Sequence, residues 1–460
     1  MGITEEKIIQ LLTAVDNVLW GKFLIFLLLA VGILLTVRLK GMQFRYLFHS
    51  LKLAFTRQDE DAQGDISQFQ ALMTALAATI GIASIAGVAT AIMAGGFGAI
   101  FWMWIIALVG MVTKYAEAIL AVKYRIVDHR GEMCGGPMYY IRRGLNWKWL
   151  AGAFAFFGAV SAFAGGNLTQ SNSIAESLHN LLHIPKYWSG IIFTMMTAIV
   201  LLRGIKSIAK VCSYLVPFMA GMYILGGMVI LAFHWEHILP SLYLIVKSAF
   251  TGQAAKGGFL GASVVAALQF GVARGISTNE AGLGSAPIAA AAAKTDVPGR
   301  QALISMSSVF ISTLIVCTIT ALVIAVTGVL GSKSPDGQIL NGAALVMEAF
   351  RTVIPGGNWI VAAGIILFGY STIVGWAYYG EKCSEYLLGE RSVYYYRIIF
   401  SLIVFCGAIL SLDVVWPIVD IMNGLMAIPN LIGLFALSGI VAAESRLFFD
   451  LMRREKAGQA

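Results

Sequence analysis

The chain has few charged residues and few cysteines for its length. Asp, Glu, Lys and Arg make up 12% of the 460 residues, against 58% hydrophobic residues. This balance excludes a soluble multidomain protein and is typical of polytopic membrane proteins. The five cysteines show no CxxC spacing and their number is odd, so we expect free thiols. The sequence also lacks HExxH, GxSxG and paired-carboxylate patterns, which argues against a membrane-embedded enzyme.

Long apolar windows recur along the whole chain and predict an all-α polytopic membrane protein with eleven transmembrane helices. The windows lie near 18–37, 71–94, 98–122, 150–168, 188–202, 212–233, 258–293, 302–330, 357–379, 397–411 and 418–443. We interpret residues 1–460 as one transmembrane domain. Because Arg38 and Lys40 follow the first window, we expect a retained membrane anchor and not a cleaved signal.

The net charge of +8 is unevenly distributed between alternate loops. One set contains 23 Lys and Arg and the opposite set contains 7, the first set being 38–70, 123–149, 203–211, 294–301, 380–397 and the tail 444–460. The positive-inside rule places the first set in the cytoplasm, with the N-terminus outside and the C-terminus inside. Since topology explains the basic charge, no nucleic-acid partner is predicted.

Two of the windows contain polar interruptions at their centres. In the seventh window, the run from Arg274 to Pro287 contains charges, glycines and a proline, so we predict two half-helices joined by irregular backbone. Such backbone is stable at membrane depth only when it is buried in protein or lines a wet cavity. In the second window, Thr79 to Gly87 is rich in small residues, with Gly81 and Gly87 as candidate breaks. The alternative for this window is a small-residue contact between helices.

The two interrupted windows are five apart, which is typical of inverted-repeat transporters with a binding site at the midplane. The predicted repeats are 71–233 and 258–443, with 18–37 as an extra helix and 444–460 as a cytoplasmic tail. The interrupted, asymmetric helices favour a closed site over the continuous pore of a channel.

Several sequence stretches resemble the alanine or glycine:cation symporter family, whose fold is of the LeuT type. They are IAGVATAI (85–92), GAIFWMWIIALVGMVTKYAEAILAVKYR (98–125), GEMCGGPMYYI (131–141), QSNSIAE (170–176), NEAGLGSAPIAAAAA (279–293), VCTITAL (316–322) and GWAYYGEK (375–382). The resemblance implies symport of a small neutral amino acid, alanine or glycine first, with sodium across a prokaryotic inner membrane. It implies no organic cofactor and no metal beyond the sodium ion.

The resemblance also indicates site residues. It places sodium against Ser371, Thr372 and the backbone of Gly81 and Ser84. A zwitterionic substrate needs N–H donors for its carboxylate and carbonyl dipoles for its ammonium, and two broken helices supply both. The candidate substrate-binding residues are therefore Gly81, Ala83, Ser84, Gly87, Ser277, Thr278 and Asn279, with Gln170, Asn172 and Trp376 as secondary candidates whose alternative role is helix-end packing.

Other polar residues have simpler interpretations. Ser277 and Glu280 have capping-box spacing and are expected to start the second half-helix of the seventh window, and Ser84 is a similar candidate cap in the second. Lys114 and Glu117 lie three apart and are expected to form an ion pair or gate. We expect Asp420 and Asn423 to act at a helix start near Pro417. The pairs His179/His183 and His234/His237 lack further ligands and are interpreted as surface residues.

The chain departs from the family pattern at several site positions. Gly81-Ile82-Ala83-Ser84 stands where Gly-Thr-Gly-Asn is expected, Ser277-Thr278 replaces Phe-Ser, and Ser312 replaces an acidic residue. Two alternatives follow: a pocket for a larger neutral side chain, or coupling that is weakened or passes to protons. The first is favoured, because Ser371 and Thr372 remain in place for sodium.

Overall fold

The computed structural model describes residues 2–56, 62–253, 261–410 and 415–457, and 81% of the protein is helical. Several predicted regions extend outside the described residues: the basic loop 38–70 at residues 57–61, the seventh window at residues 258–260, the tenth window at residue 411 and the tail at residues 458–460. The helices are α1 (Gly2–Val18), α2 (Leu24–Arg38), α3 (Met42–Arg45), α4 (Leu47–Ala54), α5 (Gln68–Thr79), α6 (Ala86–Gly95), α7 (Gly98–Lys123), α8 (Pro137–Leu145), α9 (Lys148–Phe163), α10 (Thr169–Leu182), α11 (Lys186–Leu201), α12 (Ile205–Phe233), α13 (Trp235–Thr251), α14 (Val264–Asn279), α15 (Ala286–Ala291), α16 (Pro298–Val309), α17 (Thr318–Thr327), α18 (Gly342–Arg351), α19 (Gly357–Leu388), α20 (Ser392–Ile409) and α21 (Val415–Lys456).

The described part of every apolar window is mainly helical, and among the described residues seven helices are long and apolar enough to cross a membrane. These are Gly98–Lys123, Lys148–Leu182, Ile205–Phe233, Pro298–Thr327, Gly357–Leu388, Ser392–Ile409 and Val415–Glu455. Three shorter apolar helices are α2, α6 and α11. The described part of the predicted tail is not a separate segment, because α21 continues to Lys456.

Three helical rods contain a wide turn of π-helix. Leu19–Phe23 joins α1 to α2, Ala164–Leu168 joins α9 to α10, and Phe310–Cys317 joins α16 to α17. The rods continue through these turns, so α9 and α10 together span Lys148–Leu182.

Among the described residues, six helices lie between the predicted spans and outside the apolar windows. They are α3 and α4 before the second window, α8 between the third and fourth, α10 between the fourth and fifth, α13 before the seventh, and α18 between α17 and α19. The short strands β1 (Ile126–Val127) and β2 (Met133–Cys134) form an antiparallel hairpin between α7 and α8, with Ile126 opposite Cys134.

The two interrupted windows are broken, as the sequence predicts. The second divides into α5 and α6, with a single 3-10 turn at Ile82–Ser84 between them. The seventh divides into α14 and α15, with irregular backbone at residues 280–285. Helices α6, α14 and α15 pack against α7, and α5 packs against α12, α15 and α19. The breaks therefore lie in the protein interior, where irregular backbone is protected from lipid.

Candidate functional site

The break between α5 and α6 leaves backbone groups free at Gly81. In the described part of the chain, the N–H groups of Gly81, Ile82 and Ala83 meet no carbonyl or side-chain acceptor. Gly87, the second candidate break, lies inside α6 instead, so that part of the prediction was wrong. Unpaired buried N–H groups are costly unless a ligand or water satisfies them, which makes this turn a donor site for an anionic group.

A cavity of about 100 Å³ lies beside this turn. It is smaller than the roughly 300–1,000 Å³ of pockets for drug-sized ligands, which fits a small substrate. Six predicted site residues line it: Gly81, Ala83, Gln170, Ser277, Thr372 and Trp376. Six other candidates for substrate or sodium binding do not line it: Ser84, Gly87, Asn172, Thr278, Asn279 and Ser371.

Thr278 and Asn279 are buried beside the cavity but are engaged elsewhere. The Thr278 hydroxyl donates to the Gly275 carbonyl at 2.8 Å, and the Asn279 side chain accepts from the Ala281 N–H at 2.9 Å. Both residues therefore hold the end of α14 in place. Asn172, a secondary candidate, donates to the Leu410 carbonyl at 2.8 Å and so ties α10 to the end of α20.

Glu280 provides a carboxylate in the cavity wall. It adopts a left-handed conformation with φ +55°, directly after the last residue of α14. Trp376 Nε1 donates to one carboxylate oxygen at 2.9 Å, and the Ser285 hydroxyl donates to the other at 2.6 Å. Two hydrogen bonds to different oxygens fix the orientation of the carboxylate in the cavity.

The predicted capping box at Ser277 and Glu280 was wrong. Helix α14 continues through Ser277 to Asn279, and the Ser277 hydroxyl donates to the Ala273 carbonyl of its own helix at 3.0 Å. Ser84 does not cap α6 either, since that helix begins after Ile85 without a side-chain cap. Ser and Thr in helices often bond back in this way, which sequence spacing cannot distinguish from a cap.

Three further charged or amide side chains line the cavity: Arg274, Asp420 and Asn423. The sequence prediction for Asp420 and Asn423 was a role at a helix start. Instead, the two residues lie three positions apart on α21 and both line the cavity. In the described part of the chain, Asn423 Oδ1 and Gln170 Oε1 are buried without a hydrogen-bond partner. The cavity thus contains unused acceptors as well as the unused donors at Gly81 to Ala83.

Ser371 and Thr372 on α19 meet the last turn of α5. Both hydroxyls donate to the Ala77 carbonyl oxygen, at 3.2 and 3.1 Å. This carbonyl is available because the break at Gly81 removes the N–H that would bond to it in a continuous helix. Three oxygen atoms from two helices therefore converge here, a donor set suited to a hard cation.

The carbonyls of Gly81 and Ser84, which were predicted to bind sodium, have other partners. The Ser84 carbonyl accepts from the Thr320 hydroxyl at 3.0 Å, and the Gly81 carbonyl accepts from the Ser84 N–H at 3.0 Å. The sequence reasoning missed Ala77, although a carbonyl one turn before a break is released by the break itself.

Lys114 and Glu117 hold the second break and do not bond to each other. Lys114 Nζ donates to the Asn279 carbonyl at 2.8 Å, at the C-terminal end of α14. Glu117 Oε1 accepts from the N–H groups of Gly282 and Gly284, at 3.0 and 3.2 Å. The expected ion pair between them was wrong, because the opposite ends of the break offer each charge a complementary partner.

A backbone network joins the ends of the broken helices that lie away from the cavity. The N–H groups of Asp65 and Ile66, before α5, bond to the Ala292 carbonyl after α15. The Arg125 guanidinium donates to four carbonyls, those of Gln63, Ala291, Ala293 and Thr295, at 2.7 to 3.0 Å. Burial lowers the pKa of Arg125. This network ties the segment before α5 to the segment after α15 through residues of the basic loops.

One group of acidic and thiol side chains outside the cavity has metal-like spacing. Asp128, Cys134 and Glu385 lie within reach of a shared ion. However, Lys382 Nζ already lies 2.9 Å from Glu385, and Arg130 lies 3.0 Å from Asp128. Burial raises the pKa of Cys134 to about 12, so the thiol stays protonated and is a poor metal ligand. The cations take the place that a metal ion would need.

Comparisons with known proteins agree with this geometry. The family model described as "Sodium:alanine symporter family" matches residues 5–460. The chain is 52% identical to the sodium/alanine symporter AgcS of Methanococcus maripaludis, over 97% of this chain and 98% of that protein. It is 37% identical to the probable sodium/glutamine symporter GlnT of Bacillus subtilis, over 99% of this chain and 93% of that protein.

Solved structures show the same fold at low sequence identity. MhsT, solved in complex with L-phenylalanine, matches with a TM-score of 0.58 and 14% identity, over 84% of this chain and 93% of that chain. The solved structures that resemble this chain are LeuT-fold transporters. The fold, the broken helices and the family match over nearly the whole sequence agree: the chain is a multi-pass membrane protein that belongs to the sodium:alanine symporter family.

Proposed function

We propose that this protein moves a small neutral amino acid, alanine or glycine first, into the cell together with sodium. The proposal includes eleven membrane spans, with 71–233 and 258–443 as inverted repeats. It also includes a prokaryotic inner-membrane location with the N-terminus outside and the C-terminus in the cytoplasm, as the distribution of basic residues indicates.

One observation supports the substrate class most directly: the small cavity offers unused donors and unused acceptors. The free N–H groups of Gly81, Ile82 and Ala83 suit a carboxylate. The Glu280 carboxylate and the unpaired Gln170 oxygen suit an ammonium group. A zwitterion satisfies both sets at once, whereas an anion or a cation alone leaves one of them unpaired.

The sodium site is proposed at the Ala77 carbonyl and the hydroxyls of Ser371 and Thr372. A Cβ atom added at Gly81 would lie 2.8 Å from Thr372 Oγ1, so the two elements are in close contact. Because the cation would contact α5 beside the free N–H groups, its binding would stabilise the same turn that receives the substrate. This shared turn is a physical basis for coupling.

A larger neutral substrate is the second candidate. One relative of this chain is named a probable sodium/glutamine symporter, and glutamine is larger than alanine. In this chain Ser277 lines the cavity where the family pattern has a large aromatic residue, which leaves space for additional atoms. Proton coupling remains the alternative to sodium, since Ser312 offers no charge.

Uptake by the purified protein in liposomes tests the proposal. We expect labelled alanine or glycine to accumulate under an inward sodium gradient, and counterflow to occur when the vesicles are preloaded with unlabelled substrate. A channel would show no counterflow, and an enzyme would alter the labelled compound. Accumulation driven equally by a proton gradient in sodium-free buffer would contradict sodium coupling, and a panel of neutral amino acids would rank the substrates.

A further inference from the structure

A second cavity, of about 460 Å³, lies where the end of α2 meets the last turns of α21. The first cavity is lined by Asp420 and Asn423, near the opposite end of α21. Five cationic side chains line the second cavity: Arg38, Lys40, Arg45, Arg446 and Arg453. The residues from α21 recur at positions 442, 445, 446, 449, 450 and 453, the spacing of a single helix face. The cations are therefore gathered by two helix ends around one space.

These cations are poorly neutralised by the protein. Asp450 is the single acidic residue in the cavity wall, and its partner Arg453 lies 3.7 Å away with both side chains largely exposed. Among the described residues, no carboxylate lies within 4 Å of Arg38, Lys40, Arg45 or Arg446. Arg38 donates instead to the Ser438 hydroxyl at 2.6 Å, so its position is fixed while its charge is not neutralised. Such a cavity attracts an anion.

Exposed apolar side chains that neighbour the lining residues in sequence indicate which kind of anion binds. Phe44, next to Arg45, is 60% exposed, and Leu447, next to Arg446, is 66% exposed. Phe48, one turn further on, is 83% exposed. The rings of Tyr46 and Phe449 stack at 4.5 Å and join the two sides of the cavity wall. A soluble phosphate has no apolar part to pack against these side chains, whereas the acyl chains of a lipid can cover them.

We propose that this cavity binds the phosphate headgroup of an anionic glycerophospholipid, with the acyl chains against Phe44, Phe48 and Leu447. Its cations lie at the end of the molecule where the basic loops gather, so the lipid belongs to the leaflet on that side. A bound lipid would tie the first helix to the end of α21.

The test compares lipid binding by two matched triple variants of the full chain in detergent, measured by native mass spectrometry. The first, Lys40→Gln/Arg45→Gln/Arg446→Gln, removes three exposed cations from the cavity. The control, Arg203→Gln/Lys206→Gln/Lys210→Gln, removes three exposed cations from the loop and helix start between α11 and α12. Phosphatidylglycerol, phosphatidylcholine and inorganic phosphate are the three probes.

We expect the unmodified protein and the control to retain phosphatidylglycerol in preference to phosphatidylcholine, and the cavity variant to bind it at least tenfold more weakly. The expectation follows from a contribution of roughly fivefold per cation near an anionic headgroup. Equal losses in both triple variants would show general charge attraction and would overturn the proposal. Inorganic phosphate displacing the lipid at equal concentration would overturn it in favour of a soluble anion. If the triple variant does not accumulate, Arg446→Gln alone, at an exposed position, supports the same comparison against Arg203→Gln.

Discussion

The hydroxyls of Ser371 and Thr372 are the side-chain groups on which the proposed sodium site depends. Replacing both residues by alanine removes the two hydroxyl oxygens that lie beside the Ala77 carbonyl oxygen in the proposed site. At about 1 kcal/mol per hydroxyl, the sodium concentration for half-maximal uptake should rise at least tenfold. The measurement is sodium-dependent alanine uptake in liposomes.

Ser401→Ala is a suitable control for this double variant. Its hydroxyl also lies in a spanning helix, but it donates only to the Arg397 carbonyl of its own helix. Sodium dependence should not change in the control. An unchanged sodium requirement in a well-folded double variant would contradict the proposed site.

Ser277 determines how much space the cavity offers at α14. We expect Ser277→Phe to weaken competition by serine, threonine and 2-aminoisobutyrate more than competition by alanine, because the added ring takes up cavity space. Ser277→Ala separates size from polarity. It loses only a bond to the Ala273 carbonyl and should resemble the unmodified protein. If the phenylalanine variant accepts the larger ligands as well as before, the larger-pocket interpretation is wrong.

Individual residue roles were predictable where the residue type and its segment were sufficient. Gly81, Ala83, Gln170, Ser277 and Trp376 were expected at the cavity, and they line it. Asp420 and Asn423 were assigned elsewhere because a nearby proline suggested a local role. Their approach to the cavity depends on how α21 packs, which a local rule cannot provide.

At the scale of the helices, Glu117 acts as the anchor of the second break. Its Oε1 accepts from Gly282, Gly284 and the Asn430 side chain. Glu117→Ala would leave three buried donors unpaired, at about 1–3 kcal/mol each, and should greatly reduce thermal stability in detergent. Glu117→Gln keeps an acceptor oxygen and should retain more stability. Equal stability of the alanine and unmodified proteins would contradict this role.

The existence of both broken helices was predictable, but their exact bounds were not. Small and polar residues at membrane depth indicate irregular backbone, since a continuous apolar helix has no need of them. The position of the second break depends on Glu117 and Lys114, which lie more than 160 residues earlier in the chain. The spacing of Lys114 and Glu117 predicted that they pair with each other. In the structure, each side chain instead bonds to backbone groups of the second break.

Amphipathic helices at the ends of the spans were also difficult to predict. Helix α13 contains the exposed Glu236 and α18 ends with the exposed Arg351, so a search for long apolar windows passes over both helices. Their existence follows from a 3.6-residue periodicity that hydropathy averaging removes.

For the whole molecule, the excess of basic residues predicts which loops face the cytoplasm. With the exposed Cys406 replaced by serine, the remaining native cysteines are buried and new single cysteines report accessibility. A cysteine at the exposed position His129 should react with a membrane-impermeant reagent only from the cytoplasmic side. One at the exposed position Asn180 should react only from outside. The reverse pattern in intact cells and inverted vesicles would overturn both the orientation and the proposed repeats.

The wide turns at Leu19–Phe23, Ala164–Leu168 and Phe310–Cys317 have a consequence for the evolution of chain length. In an α-helix, loss of one residue rotates everything beyond it by about 100°, which would turn buried faces towards lipid. A π turn already contains a surplus residue, so its loss can return the turn to α geometry while the flanking faces keep their directions. Within these rods, single-residue insertions and deletions among related chains should therefore cluster at these three places.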